Sequence, residues 1–425
     1  MELTIGLQLR GTDLSGTITG PPPDSPHPFQ HGKLDGDSLS FEVAMTGQSG
    51  ESRVFRVSAW VEGKRMQGSV TRPDGASIRF TLTKGPSGTT NIASGEPAVE
   101  EPHPTGPEPR PLAPREAILA ALDRYEVVAI GSVSHGTQDL DGFILDLFRD
   151  PRLPGKVNDI AVECGNALYQ PILDRYIGGE DIPLAQARAV WRNTTQPNCG
   201  FSPFYDQFFP LVRRVNRSLP PNKKLRVLAC DPPVDWSAVH GPKEAMPFRD
   251  RDRSIAQVME REVLARHRKA LMLFGINHIR HGMAAVGRYE ASYPGVTLVV
   301  AEHHGFGGMT PFARYNDVLE QRMASWPVPS LVMLKGTWLD DLESLYFDPD
   351  YVRSEHRGYP GVDAYLYLGP RDLLLMEPAP ARTVLDTAYI SELRRRAAAV
   401  GEPHGPSDPA VTFRRELESS VFLEN

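Results

Sequence analysis

This sequence has only three cysteines, no long apolar run and no excess of basic residues. The three cysteines, Cys164, Cys199 and Cys230, lie far apart and form no CxxC pair, which argues against a disulfide framework, a zinc motif and a redox motif. No stretch approaches the roughly 18 apolar residues that cross a bilayer. A formal net charge of −7 gives no basic footprint for nucleic acid or an anionic membrane. We therefore expect a small-molecule substrate or ligand, no nucleic-acid partner and no membrane span.

Two familiar sequence signals are also missing. The chain starts with MELTIGLQLR, which lacks the basic start and apolar run of a secretion signal, so the sequence as it stands predicts a cytoplasmic protein. A strand pattern begins almost at residue 1, however, and the protein would be exported if a signal peptide had been removed. Neither GxxxxGK(S/T) nor GxGxxG follows a predicted strand, which argues against a phosphate-binding loop.

The composition divides the chain into three segments. Residues 1–84 contain short polar and apolar runs, and DG turn signals separate strand-like stretches in KLDGDSLSFEV and SVTRPDGASIRF. We expect a β-rich accessory domain here, folded as a small antiparallel β barrel or sandwich of six or seven strands. Residues 85–114 contain eight prolines and almost no large apolar side chains, which predicts an extended linker.

Residues 115–425 show a different pattern, in which short apolar runs alternate with helical patterns. Runs of this kind are buried on both faces of a mostly parallel sheet. The alternation predicts an α/β domain whose mostly parallel sheet is flanked by helices. The runs are EVVAIG, NDIAVE, LRVLAC, KALMLFG, VTLVVAEH and SLVMLKG. Ligands of such sheets bind at the carboxyl ends of the strands, which is where we expect the site residues.

Polar residues follow four of these predicted strands. A histidine can move a proton near neutral pH, and a carboxylate beside it can orient the ring or help to hold a metal. Because the strand ends share one sheet edge, we expect His135, Glu163 and His278 to converge in one cleft. The polar residues at the strand ends are Ser132, His135, Glu163, Asp231, His278 and His281.

Each of these residues also has a purely structural interpretation, which the sequence leaves open. A strand-end histidine is often a turn or packing residue, Glu163 could cap the following helix, and Asp231 before two prolines could form a turn. The pair His303 and His304 is interpreted as surface or loop. The charged run RDRDR at residues 249–253 is typical of a helix start that pairs with itself.

The segment VVAIGSVSHGTQDLDGFILDLFRD, followed by DIAVECGNALYQPILDRYIGGEDI, resembles the erythromycin esterase family and the related ChaN/Tiki superfamily of haem-uptake and peptidase-like proteins. Later segments agree in order, because RDRSIAQVMEREVL is similar to the family's Arg-Asp helix and LMLFGINHIRHG to its strand-Gly-x-x-His element. The resemblance covers about residues 115–310 and implies an erythromycin-esterase/ChaN-like α/β domain. The N-terminal segment resembles small β domains that are fused to bacterial hydrolases.

The resemblance implies a hydrolase that acts on a small ester, lactone or amide. In that case His135 is the general base on the attacking water, Glu163 is the supporting acid, and His278 completes the catalytic set. Together with Arg249, His278 is also a candidate for binding the oxyanion. The substrate-binding candidates are Ser132, Gln138, Asp231, Arg249 and His281.

Two other functions are open within the same superfamily. A Tiki-like peptidase would hold a divalent metal with His135, Glu163 and His278. A ChaN-type protein would bind haem or another small ligand without catalysis, with His278 and His281 as axial-ligand candidates and Tyr169 as a weaker one. No cofactor is predicted for the hydrolase, whereas haem or a divalent metal belongs to these alternatives.

One residue departs from the family pattern. The family reads Gly-Glu-x-x-His-Gly at the first strand end, whereas this chain reads GSVSHG from Gly131 to Gly136. Ser132 is neutral and cannot raise the basicity of the histidine as a carboxylate does. Loss of a supporting carboxylate can cost several orders of magnitude in rate. We therefore expect either that Glu163 or another acid takes its place, or that the chain has drifted towards binding, altered chemistry or inactivity.

Overall fold

A computed structural model shows an N-terminal β region followed by helices and a mostly parallel sheet, so the fold is α/β with an N-terminal β region. The structure describes the strands between Thr4 and Ala93, and then residues 106–132, 136–282, 284–303, 316–340 and 361–400. These described residues divide into two compact units. One unit contains the strands up to Ala93, and the other contains the residues from Gly106 onward.

Eight strands form the N-terminal sheet, and each pairs antiparallel with the next along the chain. Apolar residues alternate with polar ones, so Leu39, Phe41 and Val43 are buried on one face. Phe41 stacks on Phe29 with ring centroids 3.9 Å apart. The strands are β1 (Thr4–Arg10), β2 (Asp13–Thr19), β3 (His27–Asp35), β4 (Ser38–Thr46), β5 (Ser52–Glu62), β6 (Arg65–Thr71), β7 (Ser77–Lys84) and β8 (Thr90–Ala93).

The segment predicted to be a linker contains ordered parts at both ends. Strand β8 (TNIA) lies inside it and pairs with β7, which gives one strand more than the predicted six or seven. This strand was not predicted because its four residues lie within a Pro-rich segment. Near the other end, Leu112 exchanges backbone hydrogen bonds of 2.8 and 2.9 Å with Leu331, and Trp338 Nε1 donates to Glu108 at 2.7 Å. Residues 106–112 therefore contact the α/β unit.

Seven strands form the sheet of the α/β unit, and they are β9 (Val127–Ser132), β10 (Asp159–Asn166), β11 (Arg226–Asp231), β12 (Ala270–Gly275), β13 (Thr297–Glu302), β14 (Ser330–Met333) and β15 (Ala364–Tyr367). Their order across the sheet is β11-β10-β12-β9-β13-β15-β14. Neighbouring strands are parallel except β14 and β15, which are antiparallel. The central strands are almost entirely buried, as expected for a sheet with both faces covered.

The helices of the α/β unit bury apolar stripes. In one of them Phe204, Phe208 and Val212 follow at four-residue spacing and are buried, and Phe208 packs edge-to-face on Phe148 with centroids 5.0 Å apart. The helices are α1 (Pro114–Arg124), α2 (Gln138–Arg149), α3 (Gln170–Gly178), α4 (Leu184–Ala187), α5 (Ala189–Arg192), α6 (Pro203–Arg217), α7 (Pro242–Ala245), α8 (Arg251–Glu262), α9 (Ala284–Glu290), α10 (Asn316–Met323), α11 (Ala381–Val384) and α12 (Thr387–Val400).

The predicted α/β class and the mostly parallel sheet are confirmed. All six apolar runs form strands of this sheet, from β9 to β14. Strand β15 was not predicted, because its four residues, AYLY, are too short to be recognised as a run. In the part of the chain that the structure describes, no helix has the length and apolar character needed to cross a membrane.

Candidate active site

Three of the predicted site residues meet at the carboxyl edge of the sheet. Glu163 belongs to β10, Asp231 ends β11, and His278 follows β12 in a 3-10 turn. These strands are neighbours in the order β11-β10-β12, so their ends lie side by side. Glu163 is 5% exposed and Asp231 is fully buried at 0%, so both carboxyl groups need partners inside the protein.

Arg251, the first residue of α8, supplies that partner for the whole cluster. Its Nη2 donates to Glu163 Oε1 and its Nε donates to Asp231 Oδ1, both at 2.9 Å. Its Nη1 lies 2.9 Å from His278 Nε2. One guanidinium group therefore joins the ends of three strands. The planar fork of an arginine suits such a bridge, whereas the single ammonium group of a lysine does not.

Glu163 is held at both carboxylate oxygens. While Oε1 accepts from Arg251, Oε2 accepts the backbone N–H of Gly275 at 2.5 Å. Two fixed donors leave the carboxylate little freedom to rotate, and a hydrogen-bonded, charge-paired carboxylate is a well-oriented acceptor for a further proton donor. Glu163 therefore does not cap the following helix, which was its structural alternative. That helix turn begins with Asn166, whose side chain accepts the backbone N–H of Leu168.

Asp231 is likewise held from two sides. Besides Arg251, it accepts the backbone N–H of Thr195 at 2.6 Å and the Thr195 hydroxyl at 2.7 Å. Burial raises the pKa of Asp231, and the charge of Arg251 and the bonds from Thr195 oppose that rise. Asp231 thus links the loop around Thr195 to the sheet edge.

His278 contacts carboxylates on both sides of its ring. Nδ1 lies 2.6 Å from Asp252 Oδ1, and Nε2 lies 3.5 Å from Glu163 Oε1. Burial disfavours the imidazolium, but the bonds to Asp252 and Glu163 outweigh burial and raise the pKa of His278 to about 9. In either protonation state, Nδ1 carries the proton that Asp252 accepts. The His278 ring is therefore held between Asp252 and Glu163, and its catalytic role stays a prediction.

A cavity of about 600 Å³ opens beside Glu163. Glu163, Ser132 and Gly136 line it, whereas Asp231, Arg251 and His278 do not. Arg251 and His278 contact Glu163 from outside the cavity lining, and Asp231 contacts Arg251. Much of its wall is apolar and aromatic, as in most small-molecule sites. The apolar lining residues include Ile130, Leu140, Ile144, Phe201, Phe204, Leu273 and Phe274.

A second group of carboxyl side chains adjoins the same cavity. Asp141 on α2 and Glu377 both line it. Glu302, at the end of β13, is fully buried and accepts the hydroxyl of Thr137. Burial, followed by the charges of Glu377 and Glu302, raises the pKa of Asp141 to about 8. Burial also raises the pKa of Glu377. None of these three acids was singled out from the sequence.

The other predicted residues lie at varying distances from this site. His135 falls outside the described residues, although Ser132 and Gly136 on either side of its segment line the cavity. Gln138 begins α2 with its side chain exposed, and its backbone N–H donates to Leu375 O at 2.8 Å. Arg249, a candidate for binding the oxyanion, is exposed, and it is Arg251 that contacts Glu163.

His281 and His303 have partners of their own. His281 places Nδ1 2.7 Å from Glu290 and Nε2 2.8 Å from Asp363, and these bonds overcome burial and raise its pKa to about 10. His303 was interpreted as surface or loop, and that interpretation is wrong. It is fully buried at the end of β13, with Tyr365 and Glu320 as hydrogen-bond partners at 2.5 and 2.7 Å. His304 lies outside the described residues.

A disulfide joins Cys164 to Cys199, although the number and spacing of the cysteines argued against a disulfide framework. The two residues are separated by 35 positions in sequence, so their spacing carried no sign of the bond. Cys164 directly follows Glu163, and both half-cystines line the cavity. The bond thus ties the loop around Cys199 to the strand that carries Glu163. Cys230 is the free cysteine and is buried, and burial raises the pKa of its thiol.

Thiol titration in denaturant checks this bond. Without a reductant we expect one reactive thiol per chain, that of Cys230, and after reduction all three cysteines should react. The Cys230→Ser variant is the matched control and should give no thiol before reduction. Three thiols in the unreduced wild type would show that Cys164 and Cys199 are not joined.

Within the described ranges, no group of three or more His, Cys, Asp or Glu residues is arranged to hold a metal ion. The predicted metal set of His135, Glu163 and His278 includes one residue outside those ranges, so it stays a prediction. Haem binding by His278 and His281 also stays a prediction. Tyr169, the weaker axial-ligand candidate, receives a hydrogen bond on its hydroxyl from Asn193 Nδ2 at 3.0 Å.

Comparisons with known proteins give little more than a distant likeness. No family model and no curated protein matches the chain. A solved structure of a Bacillus cereus protein is similar with a TM-score of 0.38 and 9% identity, covering 61% of this chain and 94% of that one. A succinoglycan biosynthesis protein is similar with a TM-score of 0.38 and 11% identity over the same shares. Similarity this weak carries no argument about family or function, so the resemblance to the erythromycin esterases stays a prediction.

Proposed function

We propose that the α/β unit is a hydrolase that acts on a small ester, lactone or amide in the cavity beside Glu163. The observation that carries this proposal is the Glu163 carboxylate, which lines a cavity of about 600 Å³ while Arg251 and Gly275 fix both of its oxygens. A cavity of that volume suits a small molecule, and its apolar wall suits an uncharged substrate.

In this proposal His135 takes a proton from the attacking water, and Glu163 stabilises the imidazolium that forms. Glu163 thus takes over the task of the acid that Ser132 replaces in the family pattern. Two observations support these roles. Ser132 and Gly136 line the cavity together with Glu163, and the Glu163 carboxylate is charge-paired by Arg251. Assignment to an erythromycin-esterase/ChaN-like family belongs to the same proposal.

The contacts of the described histidines favour hydrolysis over haem binding. Both ring nitrogens of His278 and of His281 lie within hydrogen-bond distance of other side chains, so an iron bond would first have to break one of these contacts. Adding a chelator distinguishes the metal-dependent peptidase from the metal-free hydrolase. The chelator would abolish the activity of the peptidase and leave that of the hydrolase unchanged. The Cys164–Cys199 disulfide supports an exported rather than a cytoplasmic protein, because disulfides persist in oxidising compartments.

Narrowing the mouth of the cavity tests whether hydrolysis takes place there. Asn198 is exposed and lines the cavity, so we expect Asn198→Trp to lower kcat/KM by at least about tenfold through misplacement of the substrate. The measurement is the hydrolysis of ethyl butyrate, γ-butyrolactone and butyramide by the purified protein at pH 7.

The matched control is Asn222→Trp, because Asn222 is also exposed but does not line the cavity. This variant should hydrolyse the same compounds at the wild-type rate. Equal rates for all three proteins would place the reaction elsewhere, and a wild-type protein that hydrolyses none of the compounds would reject the proposed function.

A further inference from the structure

Asp141 is a carboxyl group in the cavity wall that the roles proposed above do not use. It lies on α2, is 9% exposed and lines the cavity. Within the described residues, its Oδ2 has no hydrogen-bond partner although the atom is buried. A buried carboxylate oxygen without a donor is costly, which favours the neutral form of Asp141. A neutral carboxylic acid that lines a cavity can donate a hydrogen bond to a ligand there.

The surroundings of Asp141 favour its neutral form. The titratable groups that face it are Glu302 at the end of β13, Glu377 in the segment before α11, and Tyr205 on α6. Glu302 and Glu377 are acids, so their charges add to the effect of burial, and the pKa of Asp141 rises to about 8. Burial also raises the pKa of the Tyr205 hydroxyl, which is therefore uncharged.

Backbone contacts hold the segment that carries Glu377 in place. The N–H of Glu377 donates to Gly136 O at 2.7 Å, and Met376 forms an isolated antiparallel bridge with Thr137. The segment that carries Glu377 is thereby attached to the start of α2, the helix that carries Asp141. Asp141 and Glu377 thus form a built part of the cavity wall.

Two carboxyl groups in one cavity therefore have opposite environments. Glu163 receives hydrogen bonds from a guanidinium and a backbone amide, which favour its carboxylate form. Asp141 lies near two other acids, and its Oδ2 has no hydrogen-bond donor among the described residues. Both features favour its protonated form. Opposite environments of this kind give two carboxyl groups of one active site different roles, here a charged carboxylate that stabilises a cation and a neutral acid that can give a proton.

We propose that Asp141 is the proton donor to the leaving group in this cavity, which allows alkyl esters, lactones and amides, whose leaving groups need a proton, to be hydrolysed as well as activated esters. This proposal rests on the hydrolase function proposed above. Water adds to the carbonyl carbon while the general base takes its proton. The bond from that carbon to the leaving oxygen or nitrogen then breaks, and the Asp141 proton goes to the leaving atom. The products are an acid and an alcohol or amine, and Asp141 recovers its proton from the base through solvent.

Two esters with the same acyl group test the donor. Ethoxide needs a proton to leave, whereas p-nitrophenolate is stable without one at neutral pH. For Asp141→Asn we therefore expect ethyl butyrate hydrolysis to fall by about 10²-fold or more, and p-nitrophenyl butyrate hydrolysis to stay within a few-fold of wild type. The wild-type rate on ethyl butyrate should also fall above a pH of about 8, as the Asp141 proton is lost, and the variant should lack this fall.

The matched control is Asp146→Asn, because Asp146 lies on the same helix, is exposed and pairs with Arg149. It should hydrolyse both esters at the wild-type rate. An equal loss on both esters in Asp141→Asn would overturn the donor role, since a proton donor discriminates between leaving groups.

Infrared difference spectroscopy of the wild type and Asp141→Asn distinguishes the donor role of Asp141 from the proposed hydrolase function. The wild type at pH 7 should show the C=O band of a neutral carboxylic acid, and Asp141→Asn should lack it. A wild type that hydrolyses both esters but shows no such band overturns the role of Asp141 and leaves the hydrolase intact. A wild type that shows the band but hydrolyses neither ester overturns the hydrolase, and the donor role with it.

Discussion

Replacement of Arg251 by methionine is expected to lower the free energy of unfolding by about 3–5 kcal/mol, the cost of removing one partner from a buried ionic cluster. The side chain is 11% exposed and bridges Glu163 and Asp231, whose side chains are 6% and 0% exposed. Without the guanidinium, Asp231 stays buried without this countercharge, and Glu163 loses one of its ionic partners. Methionine has similar length and keeps the apolar packing of the arginine stem, so the loss reports mainly on the charge.

Urea unfolding followed by tryptophan fluorescence measures this change, because Trp191, Trp326 and Trp338 are buried in the α/β unit. Arg249→Met is the matched control. Arg249 is exposed two positions upstream, and its replacement should change the free energy of unfolding by less than about 0.5 kcal/mol. Equal stabilities of the two variants would show that Arg251 does not hold the cluster together.

The sheet and the placement of Glu163, Asp231 and His278 could be predicted from the sequence for the same reason. Continuous apolar runs indicate strands that are buried on both faces, and parallel strands bring their carboxyl ends to one edge. The polar residue that follows each run is therefore placed without knowledge of any side-chain contact. Which strands are neighbours is a different matter, because β12 inserts between β10 and β9, and only the structure gives that order.

Arg251 could not be chosen from the sequence, because the run RDRDR offers three equivalent arginines. The choice depends on where α8 begins. Asp250 caps the helix by accepting the backbone N–H of Arg253 at 3.2 Å, so Arg251 is the first helical residue. That position turns its side chain to the sheet edge, while Arg249 precedes the helix and is exposed. Because the arginines alternate with aspartates, a two-residue shift of the helix start would place a different arginine first in the helix.

The other features that the sequence did not predict depend on contacts between distant segments of the chain. Nothing in the sequence connects Cys164 to Cys199, or Asp141 to Glu377, because each pair meets only through the fold. Glu302 is different, since it ends the run VTLVVAEH and the strand-end rule applies to it directly. The rule would have found Glu302 if it had been applied to β13 as it was to the other strands.

Replacement of Glu163 by glutamine is expected to reduce hydrolysis of ethyl butyrate by at least about 10²-fold. Glutamine has the same shape, and its amide oxygen can still accept one of the two hydrogen bonds that Glu163 receives, so folding of the variant has to be verified beside its activity. It carries no charge, however, and cannot stabilise an imidazolium. The matched control is Glu180→Gln, because Glu180 is exposed and pairs with Arg175 at the surface.

The most direct test of the proposed site is therefore the rate of ethyl butyrate hydrolysis at pH 7 for the wild type, Glu163→Gln and Glu180→Gln, measured side by side with circular dichroism to verify folding. We predict that the wild type and Glu180→Gln hydrolyse the ester equally fast, and that folded Glu163→Gln is at least about 10²-fold slower. A folded Glu163→Gln variant that matches the wild type would contradict the assignment of Glu163 and its cavity as the active site.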